Sequence, residues 1–178
     1  MRILNIGVAA SSEDSNKEVA QEFVSTLNSQ VRLFLGGYWG LMKDIADAAS
    51  ERDMTVVFLL PLNPKESPPR RPEFITVDTG MEYRARSVLI CRSSDVLVAL
   101  GGEAGTIIEV YMAYAMGKPV VVLSNTGHAS DRLELMGDQL DKRRTSRLYY
   151  TKNPGEAAKL ALTLAGESRT ENTSYTHG

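Results

Sequence analysis

The protein has 178 residues, of which 43% are hydrophobic and 24% are charged, and its formal net charge is −2. This balance is that of an ordinary globular protein, and it argues against a nucleic-acid-binding surface as the main function. No apolar run is long enough to span a bilayer, and the one cysteine, Cys91, excludes an internal disulfide. We therefore expect a cytoplasmic protein that has neither nucleic acid nor a membrane as its partner.

Apolar runs alternate with amphipathic segments along the chain, and this pattern predicts alternating strands and helices. The predicted strands, in chain order, are residues 2–10, 31–35, 54–62, 74–79, 95–100, 118–123 and 147–151. The predicted helices are residues 12–28, 40–49, 81–93, 105–117 and 153–166, and Ser12 or Asp14 would cap the first of them. We predict a proline-rich surface loop at residues 63–73 and an irregular or partly helical segment at residues 124–146. We predict a disordered polar tail at residues 167–178.

Strands that alternate with helices indicate right-handed crossovers and an α/β fold, in which a mostly parallel sheet lies between helix layers. We expect residues 1–166 to form this fold as a single domain. In such sheets, ligands bind beyond the carboxyl ends of the strands, where the strand order reverses. Two glycine-rich turns follow predicted strands in this chain, one at residues 35–40 and the other at residues 100–106.

The second of these turns is a candidate anion site because it connects a predicted strand to a predicted helix. Glycines allow a ligand to approach closely, and the free N–H groups at a helix start attract an anion such as phosphate. A tight turn that binds nothing is the alternative. The turn lacks the third glycine of the dinucleotide fingerprint. The candidate residues are Gly101, Gly102, Glu103, Ala104, Gly105 and Thr106.

The first turn also lies between a predicted strand and a predicted helix, and it contains Gly36, Gly37 and Gly40. These glycines predict a second wall of the same crevice. Tyr38 and Trp39 offer flat surfaces on which a base would stack, or they pack in the core. For Trp39 we favour packing or a contact with a partner.

Two charged residues are further candidates for the site. Glu109 is the only charged residue between Ile107 and Met116, and a charge in so apolar a helix is costly to bury without a partner. We expect this helix to pack against the sheet and a second subunit, with Glu109 facing an arginine or a ligand; a structural ion pair is the alternative. Arg86 is of interest because a guanidinium binds carboxylate or phosphate in a fixed fork, although a lone arginine is more often a surface residue.

Two stretches of the chain resemble a known family. They are GGYWGLMKDIADAA at residues 36–49 and MEYRARSVLICRSSDVLVALGGEAGTIIEV at residues 81–110. They are similar to the LOG (Lonely guy) family, which belongs to a nucleotide-binding superfamily that also carries the older name of lysine decarboxylase. The resemblance covers about residues 3–123.

The family motifs align with particular residues of this chain. The signature PGGxGTxxE has its glutamate at Glu109 and its glycine–threonine pair at Gly105 and Thr106. An upstream motif, MHxRK, supplies an essential arginine that aligns with Arg86. A third motif, GGGxxGLM, aligns with residues 35–42.

The resemblance implies a dimeric, Rossmann-like, nucleotide-binding protein that requires no cofactor. The best-known members of the family are phosphoribohydrolases, which cleave a nucleoside 5′-monophosphate to a free base and ribose 5-phosphate. Under this interpretation, Glu109 stabilises the oxocarbenium-like transition state or activates water, and Arg86 holds the phosphate or orients the glutamate. The loop from Gly102 to Thr106 would cradle the phosphate.

Departures from the family pattern favour a second interpretation. Gly101 replaces the signature proline, Glu103 replaces a signature glycine, and Ser87 replaces the lysine of the arginine motif, whose histidine is absent. These changes resemble molybdenum cofactor carrier proteins, which share the fold and keep a similar arginine and glutamate. The chain would then carry a molybdopterin or sense a nucleotide without catalysing a reaction.

Other chemistries lack the residues they need. With two histidines and one cysteine, the chain offers no zinc cluster, so we predict no metal site. A lysine decarboxylase would need a pyridoxal phosphate apparatus, and nothing in the sequence suggests one. The expected partners are a small phosphorylated ligand (a nucleotide, phosphate or a molybdopterin) and a second copy of the chain.

Overall fold

In the computed structural model, which describes residues 2–172, seven strands form one sheet. The strands are β1 (Leu4–Ala9), β2 (Val31–Leu35), β3 (Val56–Leu60), β4 (Phe74–Asp78), β5 (Val96–Ala99), β6 (Val120–Leu123) and β7 (Leu148–Thr151). The helices are α1 (Lys17–Thr26), α2 (Gly40–Ser50), α3 (Tyr83–Ser93), α4 (Ala104–Ala115) and α5 (Pro154–Asn172), and a 3₁₀ helix spans Ala129–Met136. The sheet order is β4-β3-β2-β1-β5-β6-β7, and all neighbouring strands pair in parallel.

The sheet separates two apolar layers because strand side chains alternate between its faces. Val96 and Val98 lie in the core cluster that β5 shares with α1, α2 and α5, whereas Leu97 and Ala99 lie in the cluster shared with α3 and α4. Both faces of the central strands are covered, which is why these strands appear in the sequence as continuous apolar runs. The prediction of a Rossmann-like α/β fold, with a parallel sheet between helix layers, is confirmed.

The strand order reverses between β1 and β5. From β1 the chain moves outward through β2, β3 and β4 on one side, and it then returns to β5, β6 and β7 on the other side. The loops that follow β1 and β5 therefore diverge at the carboxyl edge of the sheet, where a crevice is expected. The turns after β2 and β5 both lie at this edge.

The first helix begins later than predicted. Asn16 caps α1 by accepting a hydrogen bond from the backbone N–H of Val19, so the prediction of Ser12 or Asp14 as the cap was wrong. The physical reason is Ser11, whose hydroxyl accepts hydrogen bonds from the amides two and three residues further on, at 3.3 and 3.1 Å. These bonds hold the segment before Asn16 in a turn that competes with the helix.

The last part of the chain is more helical than predicted. Residues 167–172 continue α5, so the prediction of a tail from residue 167 is corrected, and residues 173–178 lie outside the described part. The glutamates and arginine of this stretch favour a helix, and it contains no proline to end one. The segment 124–146 is partly helical, as predicted, through its 3₁₀ helix. None of the helices within residues 2–172, α5 included, has the length and apolar content needed to cross a membrane.

Candidate functional site

A cavity of about 190 Å³ opens at the carboxyl edge of the sheet, next to the point where the strand order reverses. Its walls come from the loops after β1, β2 and β3 and from the starts of α3 and α4. The predicted site residues that line it are Gly36, Arg86, Glu103, Gly105, Thr106 and Glu109. The other predicted site residues belong to the same two turns but not to the lining, and they are Gly37, Gly101, Gly102 and Ala104.

The side chain of Arg86 forms part of the cavity wall, and its guanidinium group lies against Gly36. The arginine is only 6% exposed, although it was expected to resemble a surface residue if it acted alone. A Cβ atom added to Gly36 would overlap the guanidinium group of Arg86. Gly36 is therefore required to leave room for the arginine, and α3 and the turn after β2 are fitted to one another at this contact.

The guanidinium of Arg86 is incompletely satisfied. Its Nε atom is buried and has no hydrogen-bond partner among the described residues. Burial lowers the pKa of Arg86, while the nearby carboxylate of Glu109 opposes that shift. Arginine nevertheless stays charged in proteins, so the cavity wall carries a buried positive charge with a free donor. Such a group is costly unless a further acceptor binds it.

Glu109 lies on α4 with its side chain against α3. It is 8% exposed, and its Oε1 atom accepts a hydrogen bond of 2.7 Å from the hydroxyl of Ser87. Burial raises the pKa of Glu109, and the Ser87 hydrogen bond and the charges of Arg86 and Arg84 only partly counteract it. Ser87 is therefore a further site residue, which was notable in the sequence only because it replaces the lysine of the family motif. Its position directly after Arg86 was the only feature of the sequence that could have predicted Ser87 as a site residue.

Cys91 lies one helical turn beyond Ser87 on α3 and belongs to the same contact between α3 and α4. Its Sγ atom is 3.6 Å from the backbone carbonyl oxygen of Glu109, and the residue is completely buried. Burial, helped by the carboxylate of Glu109, raises the pKa of the Cys91 thiol to about 12. The thiol therefore stays protonated at neutral pH and is not a nucleophile of the site.

The start of α4 forms the opposite wall. Glu103 stands at the N-cap position, and its side chain makes no capping hydrogen bond. A Cβ atom on Gly102 would overlap the hydroxyl group of Thr106, and one on Gly105 would lie 2.6 Å from a guanidinium nitrogen of Arg84. These glycines therefore leave room for a hydroxyl and a second arginine near the first-turn N–H groups, where an anion is favoured.

The loop before α4 is tied to the 3₁₀ helix. The N–H of Gly102 donates to the hydroxyl of Ser130 at 3.1 Å, and its carbonyl accepts from the N–H of Ser130 at 3.0 Å. The Gly102 N–H is therefore already used within the protein. Gly101 has a φ of +95°, which proline cannot adopt because its ring holds φ near −65°. A proline therefore cannot stand at this position without a change of the backbone.

The two aromatic residues of the first turn both pack in the core. Trp39 is 5% exposed, contacts the ring of Tyr83 and lines the cavity, and its Nε1 atom is buried without a partner among the described residues. Tyr38 packs edge-on against Phe58 and donates a hydrogen bond of 2.8 Å to Asp47. Packing, one of the two interpretations favoured for Trp39, is observed, and its indole N–H is a second buried donor that lacks a partner among the described residues.

Charges of both signs surround the mouth of the cavity. Lys65, from the loop after β3, forms a 2.6 Å ion pair with Glu13 from the loop after β1, and both side chains are largely exposed. The exposed Arg84 lies in the same lining. No pattern in the sequence indicated that Lys65, from a surface loop, reaches this site. Within residues 2–172, no three His, Cys, Asp or Glu side chains are grouped so as to hold a metal ion.

The sequence of the chain matches one protein family over most of its length. A family model described as the SLOG cluster4 family matches residues 1–158. The chain belongs to the SLOG cluster4 family. A protein of Archaeoglobus fulgidus without a functional name is 30% identical to this SLOG chain over 126 residues, which are 69% of this chain and 82% of the relative.

Solved structures resemble this SLOG chain over most of its length. The X-ray structure of TM1055 is 31% identical, with a TM-score of 0.81, and the match covers 90% of this chain and 99% of that one. The molybdenum cofactor carrier protein of Chlamydomonas reinhardtii is 25% identical, with a TM-score of 0.69 and coverage of 93% and 99%. The resemblance to the LOG-like superfamily, in a branch near the molybdenum cofactor carriers, is confirmed.

Proposed function

We propose that this protein binds a small phosphorylated ligand in the cavity between the turn after β2 and the start of α4. The observation that carries the proposal is the buried Arg86, whose Nε atom lacks a partner at the cavity wall. A phosphate oxygen is an acceptor that matches this donor in charge and geometry. The hydroxyl of Thr106 and the first-turn N–H groups of α4 lie on the opposite wall and favour the same anion.

The organic part of the ligand is either a nucleoside or a pterin. The LOG-like motifs support a nucleoside 5′-monophosphate, and the likeness to the Chlamydomonas reinhardtii protein supports a molybdopterin, which would be cargo. Both ligands present a phosphate on an extended chain or sugar. The same anion site therefore serves either interpretation.

Binding is tested by isothermal titration calorimetry with AMP, GMP and ribose 5-phosphate. Arg86→Gln should weaken each affinity roughly tenfold or more, because a hydrogen bond to a charged group contributes about 1.5 kcal/mol or more. Arg92→Gln is the matched control, since Arg92 is an exposed arginine of the same helix and should bind as the wild type does. Equal affinities for the Arg86 variant and the wild type would contradict the proposal.

Hydrolysis of the N-glycosidic bond is a second candidate function, favoured by the carboxyl group of Glu109 in the lining of the same cavity. In this reaction the oxygen of water bonds to the anomeric carbon, and the bond to the base breaks with its electron pair remaining on the base nitrogen. A proton from water or from a carboxylic acid then neutralises the base. A carboxyl group whose pKa is raised by burial is suited to supply that proton, and as carboxylate it would stabilise the oxocarbenium ion.

Catalysis is tested by incubating the protein with AMP and measuring free adenine and ribose 5-phosphate by chromatography. Glu109→Gln should lower the rate roughly a hundredfold, by analogy with other single groups that stabilise transition-state charge. Phosphate binding should remain, because Arg86 is unchanged. A wild-type protein that binds AMP but releases no adenine would favour the carrier or sensor function.

We also propose that the protein is a homodimer through the outer face of α3 and α4. This face carries partly exposed apolar side chains at Val88, Ile108 and Tyr111, and the neighbouring 3₁₀ helix adds Leu135 and Met136. A stable dimer buries on the order of 1,600 Å² in total, and apolar patches of this kind are typical of such surfaces. Light scattering at micromolar concentration should give twice the chain mass, and Ile108→Lys should reduce it to one chain.

A further inference from the structure

A second cavity, of about 520 Å³, lies at the same edge of the sheet but on the side of α1 and α5. It is bounded by the starts of these two helices and by the segment after β6. Leu41, Leu100 and Leu123 contribute buried apolar side chains to its lining. None of the residues predicted for the anion site lines this cavity.

The hydroxyl of Ser124 is the unexplained group in this cavity. Ser124 directly follows β6, is 2% exposed, and its Oγ atom has no hydrogen-bond partner among the described residues. The hydroxyls of Ser15 and Thr126 in the same lining are engaged, since Ser15 donates to Asp44 at 2.6 Å and Thr126 donates to Asp131 at 2.7 Å. A buried hydroxyl without a partner costs about 1–3 kcal/mol, and a polar ligand atom would remove that cost.

The rim of the second cavity is rich in hydrogen-bond acceptors. Asp14 and Glu18 present exposed carboxylates from the segment before α1 and from its first turn. Lys152 and His128 stand among the other lining residues. Carboxylates accept hydrogen bonds from N–H and NH₂ groups, whereas buried leucines contact the faces of a flat ring. This combination suits a bicyclic heterocycle that carries an amino group.

The two cavities adjoin each other. Ser11 lines both of them, and Glu103 of the first cavity forms a 3.2 Å contact with the ring nitrogen Nδ1 of His128 of the second. At about 190 Å³ the first cavity is smaller than sites for compact organic ligands, which are commonly about 300–1,000 Å³. It accommodates a phosphate and part of a sugar or side chain, and the rest of the ligand needs further space.

We propose that the second cavity binds the amino-bearing bicyclic ring of the same ligand whose phosphate lies beside Arg86, with Ser124 as a hydrogen-bonding residue for that ring. This inference rests on the proposed function for the phosphate end. The ligand would cross the carboxyl end of β1 at Ser11, so that it spans the point where the strand order reverses.

The experiment compares GMP, guanosine and ribose 5-phosphate as probes by isothermal titration calorimetry. The wild type should bind GMP at least tenfold more tightly than ribose 5-phosphate. Ser124→Leu replaces the hydroxyl with a larger apolar side chain that narrows the cavity, so it should reduce the affinity for GMP towards that for ribose 5-phosphate, whose own affinity should not change. Ser124→Ala keeps the packing and should weaken GMP binding by about threefold to tenfold, as for the loss of one hydrogen bond.

Ser146→Ala is the matched control because it removes a partly buried hydroxyl, bonded to the carbonyl of Lys118, at the opposite edge of the sheet. It should bind all three probes as the wild type does. If Ser124→Leu does not fold, as judged by circular dichroism, the GMP affinity of Ser124→Ala alone tests the inference. GMP affinity that is unchanged in the folded Ser124 variants would overturn the inference, as would equal wild-type affinities for GMP and ribose 5-phosphate.

Failure of the proposed function has a different signature. If ribose 5-phosphate does not bind but guanosine does, and Ser124→Leu abolishes guanosine binding, the ring site stands and the phosphate site is wrong. If neither guanosine nor GMP binds the wild type, the inference about the second cavity is overturned.

Discussion

The turn after β2 and the turn after β5 meet at one cavity, but the atoms that lie next to their glycines differ. In the first turn, Gly36 lies against the buried Arg86, and Gly40 has a φ of +56° with the carbonyl oxygen of Ser11 only 2.5 Å from the position of a Cβ atom. In the second turn, Gly105 lies against the exposed end of Arg84. The neighbours of Gly40 are backbone atoms and that of Gly36 is a buried guanidinium, whereas the end of Arg84 beside Gly105 can move into solvent.

The difference between the turns also concerns charge. The first turn makes room for the positive charge of Arg86, and the second leads into the helix that carries Glu109. We therefore expect substitutions of Gly36 and Gly40 to affect folding and binding more strongly than a substitution of Gly105. Three of the following measurements test this ranking, and a fourth tests the charge of Glu109.

The largest effect is expected for Gly40→Ala. A side chain at this position combines a strained positive φ with overlap against backbone atoms, which together should lower the free energy of unfolding by about 3 kcal/mol. Urea denaturation followed by circular dichroism measures it. Gly166→Ala is the control, because Gly166 lies within α5 with open space around it and alanine there should stabilise by about 0.5–1 kcal/mol. Equal stabilities of the two variants would mean that the first turn tolerates a side chain.

Gly36→Ala should mainly affect binding. The new methyl group must displace the guanidinium of Arg86 from the cavity wall, so the affinity for ribose 5-phosphate should fall about tenfold or more. Calorimetric titration of the folded variant measures this loss. The double variant Gly36→Ala/Arg86→Gln should bind no more weakly than Arg86→Gln alone, since both changes remove the same interaction. Additive losses would show that Gly36 acts in some other way.

The pH dependence of stability should report on Glu109. Burial raises the pKa of this carboxyl in the folded protein above its unfolded value, so the folded state holds a proton that the unfolded state has lost. The free energy of unfolding should therefore fall as the pH rises from the unfolded pKa through the higher folded pKa. Each pKa unit of difference corresponds to about 1.4 kcal/mol. Glu109→Gln should lack this decline, and parallel curves for the two proteins between pH 4 and pH 8 would contradict the assignment.

The smallest effect is expected for Gly105→Ala in the second turn. The added methyl group meets only the end of Arg84, which can move into solvent, so ligand affinity should change by less than about threefold. Calorimetric titration beside Gly36→Ala gives the comparison directly. A loss as large as that of Gly36→Ala would place Arg84 in the binding site and remove the contrast between the turns.

Local patterns in the sequence were sufficient for the strands and for much of the site. The continuous apolar runs predicted the central strands because both faces of the sheet are covered, and the isolated charge of Glu109 indicated a buried partner. Ser87 and Lys65 were not predicted as site residues, since each reaches the site through tertiary contacts that leave no periodic signal. The cap of α1 was misplaced because the hydroxyl of Ser11 forms a local turn that competes with helix formation. The second cavity was also not predicted, because tertiary contacts bring together lining segments that are distant in the chain.

The buried thiol of Cys91 can report on local opening of the structure. Since the sequence contains one cysteine, a thiol-reactive dye can mark only this position, and it can do so only when the packing around the sulfur, which includes the contact between α3 and α4, opens. The labelling rate under native conditions therefore measures how often the helices that carry Arg86 and Glu109 open. A ligand that connects the two helices should slow that labelling without touching the sulfur. The protein can thus be screened for its own ligands with a colour change and no engineered probe.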